Sequence, residues 1–345
     1  MALCSAGDYP AAAEVSRSAL LLTRDASTAA DAAQASATLA FSLRRMGDFS
    51  AAQPIAESGL SLARSSGDRA VEGELLSNLA GLAAETGDLV ECFRLDEEYL
   101  AITRETGDRA REINALNTLG DNALRLGDYL DARKHLDEAL SLSHSIGHRL
   151  GECVVLLNLA ANANLQNNYM AAIGFAKDSI AISARSGLRD LEAAALLPLG
   201  LAQIELDEVD AARAALQRSR PLFQENTGPH LAMEPIAGLA YLALTGNDIE
   251  TAVGHVEVIL QHLENDGSLD GTEEPLRILW TLYVVLEHTG DKRAISLLAD
   301  AHRQLQERAH RITDARSRRV FLTRVPHNRT IQSAWEKQST GRPPL

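Results

Sequence analysis

Over most of the chain, apolar residues recur three, four and seven positions apart in stretches of roughly 16 residues. That spacing gathers them on one face of an α-helix, and the stretches are too long for ordinary strands. In one stretch Leu75, Leu79 and Leu82 carry the stripe, and Leu76 and Ala83 widen it. Short polar turns separate the stretches, and the turns repeat. Gly7-Asp8-Tyr9 returns as Gly47-Asp48-Phe49, Gly87-Asp88-Leu89 and Gly127-Asp128-Tyr129, then decays to Asn167-Asn168-Tyr169, Asp207-Glu208-Val209 and Asn247-Asp248-Ile249, every step being 40 residues. A second series runs out of phase with the first: Gly67-Asp68-Arg69, Gly107-Asp108-Arg109, Gly147-His148-Arg149, Gly187-Leu188-Arg189 and, at the same offset, Gly267-Ser268-Leu269. Two turns per period predict two helices per period. Glycine can take the left-handed conformation that ends one helix, and the aspartate after it can cap the free N–H groups of the next.

Columns taken 40 residues apart predict the core. Leu39, Leu79, Leu119, Leu159, Leu199 and Leu239 form one column of each period's first helix, and the next column is always small: Ala40, Ala80, Gly120, Ala160, Gly200 and Ala240. A large residue fills the interior while its small neighbour lets the partner helix approach. In the second helix the small column is Ala12, Ala52, Cys92, Ala132, Ala172, Ala212 and Ala252. Glu72, Glu112, Glu152 and Glu192 form a further column in the first turn of the first helix, where negative charge suits the positive helix end, a structural rather than catalytic use.

The frame breaks after Gly267. Gly290-Asp291-Lys292 arrives three residues late, the excess lying in 265–274, and one more helix runs to about His310. The remainder keeps helical patterning in Phe321, Leu322 and Val325 and in Ile331 and Trp335, as a terminal cap over the last apolar face would. The predicted organisation is therefore a repeat body over 1–310, its first repeat incomplete, and a helical cap with a basic tail over 311–345.

Composition narrows the functional classes. The 345 residues are 46% hydrophobic and 23% charged, which excludes disorder and collagen-like chains. No apolar run approaches the roughly 18 residues of a spanning helix, and the first residues lack a basic segment followed by an apolar one, so the expected address is the cytoplasm, with no membrane partner. Cys4, Cys92 and Cys153 are far apart and form no CxxC pair, which predicts small buried thiols rather than a disulfide or a zinc site. The net charge of -14 divides into +7 over 301–345 and -21 over the rest, so the body should repel phosphate and nucleic acid is disfavoured as a partner.

At the quoted residues the chain resembles tetratricopeptide repeats: a small residue after Leu, a Gly-Asp-aromatic turn, then Ala three positions past the aromatic. The resemblance covers about 7–310. The 40-residue period, the Gly-Asp-Arg turns and the triplets Asn78-Leu79-Ala80 and Asn158-Leu159-Ala160 look more like the longer repeats of MalT-like regions, the C-terminal sensor arms of bacterial signal-transduction ATPases and of LuxR-, SARP- and cyclase-linked regulators. The tail from Arg311 through Phe321-Leu322-Thr323-Arg324-Val325-Pro326 to Trp335 is similar to the end of such arms. The resemblance implies an all-α solenoid of about eight helix pairs in a right-handed superhelix. The ATPase and effector modules of those regulators have no counterpart here: no GxxxxGK[ST] occurs, and none of the four lysines follows a glycine. The chain also opens on a second helix without its first-helix partner, as a C-terminal piece or a relative lacking effector modules would.

Candidate chemistry is sparse. Asp266-x-Ser268-x-Asp270-Gly271 opens like a calcium loop but places Arg277 where the bidentate Glu belongs. His144 and His148, or His302 and His310, have helical spacing without HExxH or a nearby Cys pair, and no nucleophile elbow appears. No metal, cofactor or catalytic residue is assigned. The resemblance places the first helices on the concave side and puts Phe41, Arg44, Arg45, Glu74, Asn78, Asn114, Asn117, Asp121, Arg125, Asn158, Asn164, Glu234 and Tyr241 on or near that groove. An asparagine amide donates and accepts at once, as an extended peptide backbone requires. The family's peptide-contacting Asn carries over to Asn78 and Asn158 only, since Thr118 and Pro198 hold the matching positions. The same amides could equally bridge neighbouring helices. No lysine lies on a first helix, so the lysine-rich carboxylate clamp of chaperone-linked repeats is not matched.

The expectation is a non-catalytic interaction or sensor arm of a bacterial regulatory system. Its groove would take a peptide, protein segment or effector, and its partner would be a protein, with an ATPase, cyclase or LuxR-type module as candidates. The alternative is a small-molecule receptor or enzyme whose pocket is built by the 265–274 insertion and the tail.

Overall fold

A computed structural model shows why the repeat turns recur so strictly, over residues 8–22, 29–226, 230–265, 267–269 and 271–339, which it describes. Gly47, Gly67, Gly87, Gly107, Gly127, Gly147, Gly187 and Gly290 all sit at φ between 68° and 83°. Where glycine has decayed, Asn167, Asp207 and Asn247 hold the same left-handed conformation at φ 59°, 60° and 58°, which short polar side chains tolerate better than others. The residue after each turn then caps the next helix. Asp48, Asp68, Asp88, Asp128, Asn168 and Asp248 each accept a hydrogen bond from the backbone N–H three residues on. His148 does the same through Nδ1, at 3.0 Å from Gly151 N, whereas Leu188 supplies no side-chain cap.

The described residues form seventeen helices and no strand. A lone second helix, α1 (Tyr9–Leu22), precedes seven pairs: α2 (Ala29–Arg45) with α3 (Phe49–Ser66), α4 (Arg69–Thr86) with α5 (Leu89–Thr106), α6 (Arg109–Leu126) with α7 (Tyr129–Ile146), α8 (Arg149–Leu165) with α9 (Tyr169–Ser186), α10 (Arg189–Glu205) with α11 (Val209–Asn226), α12 (Met233–Thr245) with α13 (Ile249–Glu264), and α14 (Pro275–His288) with α15 (Arg293–Arg311). Two further helices, α16 (Ala315–Arg324) and α17 (Pro326–Ser339), follow. The even-numbered members from α2 to α14 are the first helices of the repeats. Cys4, Gly7, Asp266, Asp270 and residues 340–345 lie outside the described residues.

Packing follows the columns. The six column leucines are all buried, and Ala40, Ala160 and Ala240 have no exposed surface. Small size is required rather than merely permitted: a Cβ on Gly200 would stand 2.7 Å from Leu216 Cγ. Cys92 and Cys153 are buried free thiols, as their small-residue role demands.

The glutamate column is buried as well; three members are clamped by two cationic partners and the fourth by one. Glu72 meets Arg64 at 3.0 Å and Arg69 at 2.5 Å. One repeat on, Glu112 meets Arg104 at 3.0 Å and Arg109 at 2.6 Å. In the next, Glu152 meets His144 at 3.1 Å and Arg149 at 2.8 Å, and Glu192 pairs with Arg218. A buried carboxylate is tolerated only with such compensation. Glu72, Glu112 and Glu152 therefore tie the end of one repeat's second helix to the start of the next repeat's first, whereas Glu192 ties the two helices of one pair.

By compactness the chain divides into two units, Met1–Asn122 with Arg311–Asp314, and Ala123–His310 with Ala315–Leu345. The division falls inside α6, where the repeat pattern shows no break.

Candidate functional site

In the first unit, three consecutive first helices are joined by a polar ladder. Gln34 on α2 donates to Glu74 on α4 at 3.1 Å, and Arg111 on α6 reaches the other oxygen of Glu74 at 2.5 Å. Toward the far end of α2, Phe41 packs edge-on to Tyr9 with ring centroids 6.0 Å apart. The Arg44 guanidinium lies 5.6 Å from the centre of the Phe41 ring, and that of Arg45 lies 5.4 Å from the centre of Tyr9. Arg44 rests against Gly81, where a Cβ would come within 2.8 Å of its Nη1. Its Nε is buried without a hydrogen-bond partner. Burial pulls the Arg44 pKa below the usual arginine value and Arg45 adds to the effect, while Glu85 opposes it.

Asn114 on α6 is exposed, and Asn117 and Asp121 are half-buried. Asn78 is buried, and its Nδ2 donates to the Ala37 carbonyl at 3.1 Å. It bridges α2 and α4, the second of the two uses open to it from sequence.

Beneath this face lies a polar cluster that sequence reasoning passed over. Asp96 on α5 is 2% exposed. Its Oδ2 accepts from Asn122 Nδ2 at 2.9 Å and lies 3.6 Å from Cys92 Sγ, with Thr118 completing the shell. Burial pushes the carboxyl up to about 7, and Asp121 adds to the rise, although the hydrogen bonds from Thr118, Cys92 and Asn122 pull the other way. The signal was in the columns: the residues at 40-residue steps from Asp96 are Ser16, Ala56, Leu136, Ala176, Leu216 and Val256, a series with no other charge.

In the second unit Arg125 reaches Glu273 at 3.4 Å. Asn158 is half-buried, and Asn164 donates to the Pro198 carbonyl at 2.8 Å, bridging α8 and α10. Glu234 on α12 is 1% exposed and pairs with the buried Arg277 on α14. It also accepts from Glu274 N at 2.8 Å, and Arg277 Nε meets Glu274 at 2.9 Å. Arg277, expected to break a calcium loop, thus serves as the counter-ion of an interior carboxylate. Tyr241 is 36% exposed. Burial raises its hydroxyl pKa and that of Tyr169, and in both the charge of Glu205 adds to the rise. No group of three or more His, Cys, Asp and Glu side chains placed to hold a metal occurs among the described residues.

The chain's own end packs against parts of the second unit. Around the α6–α7 turn, a Cβ on Gly127 would lie 3.2 Å from Val325 and 3.3 Å from Arg324, both of the tail. Tyr129 donates its hydroxyl to the Arg324 carbonyl at 3.3 Å. His327, opening α17, has Arg277 and Glu234 as its charged neighbours; burial, reinforced by Arg277, pushes its imidazole down to about 3.

Two helices per period, left-handed turns and a Leu-against-small core define an all-helical protein of two-helix repeats. The tetratricopeptide-repeat family pattern matches residues 72–145 and 111–185, and the helix pairs on either side repeat the same tetratricopeptide-like architecture. No curated protein sequence matches it. Among solved structures it is similar to a Rap protein complexed with competence and sporulation factor, at 12% identity and a TM-score of 0.61 over 89% of this chain and 88% of that one. It is also similar to aspartyl phosphate phosphatase F of Bacillus subtilis, at 16% identity and a TM-score of 0.57 over 91% and 73%. A third likeness is to a signal-transduction ATPase from Pyrococcus horikoshii with a tetratricopeptide repeat sensor, at 18% identity and a TM-score of 0.57, over 79% of this chain and 41% of that one. These likenesses are of fold. No described helix is long and apolar enough to cross a membrane.

Proposed function

We propose that the chain is a non-catalytic interaction module of a bacterial regulatory system, a MalT-like sensor arm that docks a peptide or protein segment along the first helices of its first unit. The observation that carries this reading is the joint placement of Phe41, Arg44, Arg45, Glu74, Asn114, Asn117 and Asp121 on α2, α4 and α6, with Arg44 held partly desolvated above Gly81 and its Nε without a hydrogen-bond partner. A cation drawn out of water without a hydrogen-bonded counter-ion is unfavourable until an acceptor arrives. A docked segment bearing a carbonyl or carboxylate there would supply one. The likeness to a sensor-bearing ATPase and to a Rap protein solved with competence and sporulation factor agrees with a ligand-responsive arm. In this reading Asn78 and Asn164 shape the faces as helix bridges, and the exposed polar side chains make the contacts.

The insertion and the tail do meet near Tyr129, as a small-molecule pocket would require, but Glu234, Glu274 and Arg277 there are committed to one another. Affinity capture from the source lysate with wild type, Arg44→Glu and Asn114→Ala/Asn117→Ala tests the docking face. Loss of a defined partner with helicity intact is expected. Equal capture of every partner by all three proteins sinks the assignment.

A further inference from the structure

The tail is built differently from the repeats it covers. α15, the last repeat helix, buries Ala294, Leu297, Leu298, Ala301, Leu305 and Ala309, a continuous apolar stripe. By contrast α16 buries only Phe321, and α17 only Asn328 and Ile331. The tail's other attachments include polar and edge contacts. Gln306 donates to Gln332 at 2.8 Å, Tyr129 donates to the Arg324 carbonyl, and Trp335 stacks on His302 with ring centroids 4.8 Å apart. Asn328 donates to the Phe321 carbonyl at 3.0 Å, a bond that joins the two tail helices to each other rather than to the body. A segment with few buried apolar side chains belongs to the low-stability end of a structure.

What the tail covers is also distinctive. Among the repeat-turn glycines, Gly47, Gly67, Gly107, Gly147, Gly187 and Gly290 face open space, Gly87 meets the Arg311 side chain, and Gly127 lies beneath the tail residues Val320, Arg324 and Val325. Gly127 ends a first helix, α6, and His327 stands beside the Glu234–Arg277 pair that joins two more first helices, α12 and α14. Residues 315–339 hold five arginines and one lysine against a single glutamate. On the covered side Glu234 and Glu274 are paired with Arg277 and Glu273 with Arg125, and Glu274 is close enough to act on Tyr129 together with Arg324 and Arg329. Tail cations and a body carboxylate thus come together around Tyr129, beside the turn that the tail covers.

We propose that the first-helix face of the second unit is a docking site for an arginine-rich amphipathic helix, and that α16–α17 is its resident, displaceable occupant. The tail then acts as an intramolecular ligand, and a partner helix of the same chemistry competes with it for Gly127, Tyr129 and the Glu234–Arg277 pair. This rests on the reading that first-helix faces are the docking surfaces, and it adds that one of them is closed until the tail leaves. A linked competitor has a high effective concentration, so a free partner binds weakly while the tail is seated.

The test uses the full chain and a fluorescein-labelled peptide with the sequence of residues 315–339. Ile331→Asp, which removes the fully buried anchor of α17, should raise peptide affinity at least tenfold over wild type and speed tryptic cleavage after Arg324 and Arg329, with body helicity unchanged. Hydrogen exchange of the wild type supplies a second measure: amides of 316–339 should exchange at least tenfold faster than those of α14 and α15. No gain in peptide binding overturns the proposal, as does loss of body helicity in the variant or joint exchange of tail and α15. The experiment needs no natural partner, so its failure would leave the docking face of the first unit to be judged by the capture experiment alone.

Discussion

Asn122 donates a 2.9 Å hydrogen bond to Asp96 across the α5–α6 interface, inside a layer that the other repeats fill with serine, alanine, leucine or valine. The groups around this carboxyl are an amide, a thiol, a hydroxyl and a second carboxyl. With no guanidinium among them, the proton itself becomes the stabilising partner.

Asp96 therefore makes the first unit less stable as pH rises. An unfolded aspartate releases its proton near 3.9, whereas folded Asp96 holds it to about 7. Between those values the unfolded chain binds fewer protons, so stability is full below about 4 and falls as pH rises toward 7, by about 4 kcal/mol at most. Asp96→Asn should flatten the dependence. Urea unfolding of both proteins from pH 4 to pH 8 checks this; parallel curves would refute it.

The clamped glutamates predict an asymmetry. Arg104 and Arg109 have side chains 45% and 56% exposed, against 5% for Glu112. Removing the cations leaves a buried charge uncompensated, while removing the glutamate leaves cations that water can solvate. Arg104→Ala/Arg109→Ala should lose about 3–5 kcal/mol, as breaking a buried pair does, and Glu112→Gln clearly less. Denaturant midpoints decide it, and an equal or reversed order would contradict the account.

Close packing at Gly200 predicts a compensated pair. Adding a methyl group 2.7 Å from Leu216 Cγ is overpacking, costing about 1–3 kcal/mol. In a Leu216→Ala background the obstruction is gone, so Gly200→Ala should be close to neutral there. A double-mutant cycle by thermal melting reads the coupling, and strict additivity would rule out the contact.

Acid should loosen the tail. Its imidazole at His327, facing Arg277 and Glu234, is pushed down to about 3, while the undocked ring protonates near 6.5. Docking is then complete above about 6.5 and weakens as pH falls toward 3, because only the released tail takes up the proton. His327→Gln should remove this dependence. Rate-corrected hydrogen exchange of 326–339 at pH 7 and pH 5 measures it, and exchange that ignores pH in the wild type would count against the coupling.

Much of this protein was determined locally, and local features are what a sequence displays. A left-handed turn depends on Gly67 and the cap after it on Asp68, so the 40-residue pattern by itself gave the helix pairs, the leucine columns and the small positions facing them. The clamps were half visible: the glutamate column and its structural use could be read, but its cationic partners could not. Arg104 and Arg109 approach Glu112 from opposite sides of a turn, and only the folded backbone brings them together. Asn78 shows the same limit, since the residue type allows an amide to meet a peptide or a neighbouring helix and the packing of α4 on α2 chose Ala37. Asp96 stood in plain view as the one charge in its column, although its raised pKa needed burial to produce it. The tail lay furthest from reach. Its helices could be read from periodicity, but their seat on Gly127 and Tyr129, with Arg324 at a sequence distance of 195 residues, arises from how successive repeats stack in three dimensions. The sequence set every joint of the chain, and the stacking of those joints decided which surfaces the tail could reach.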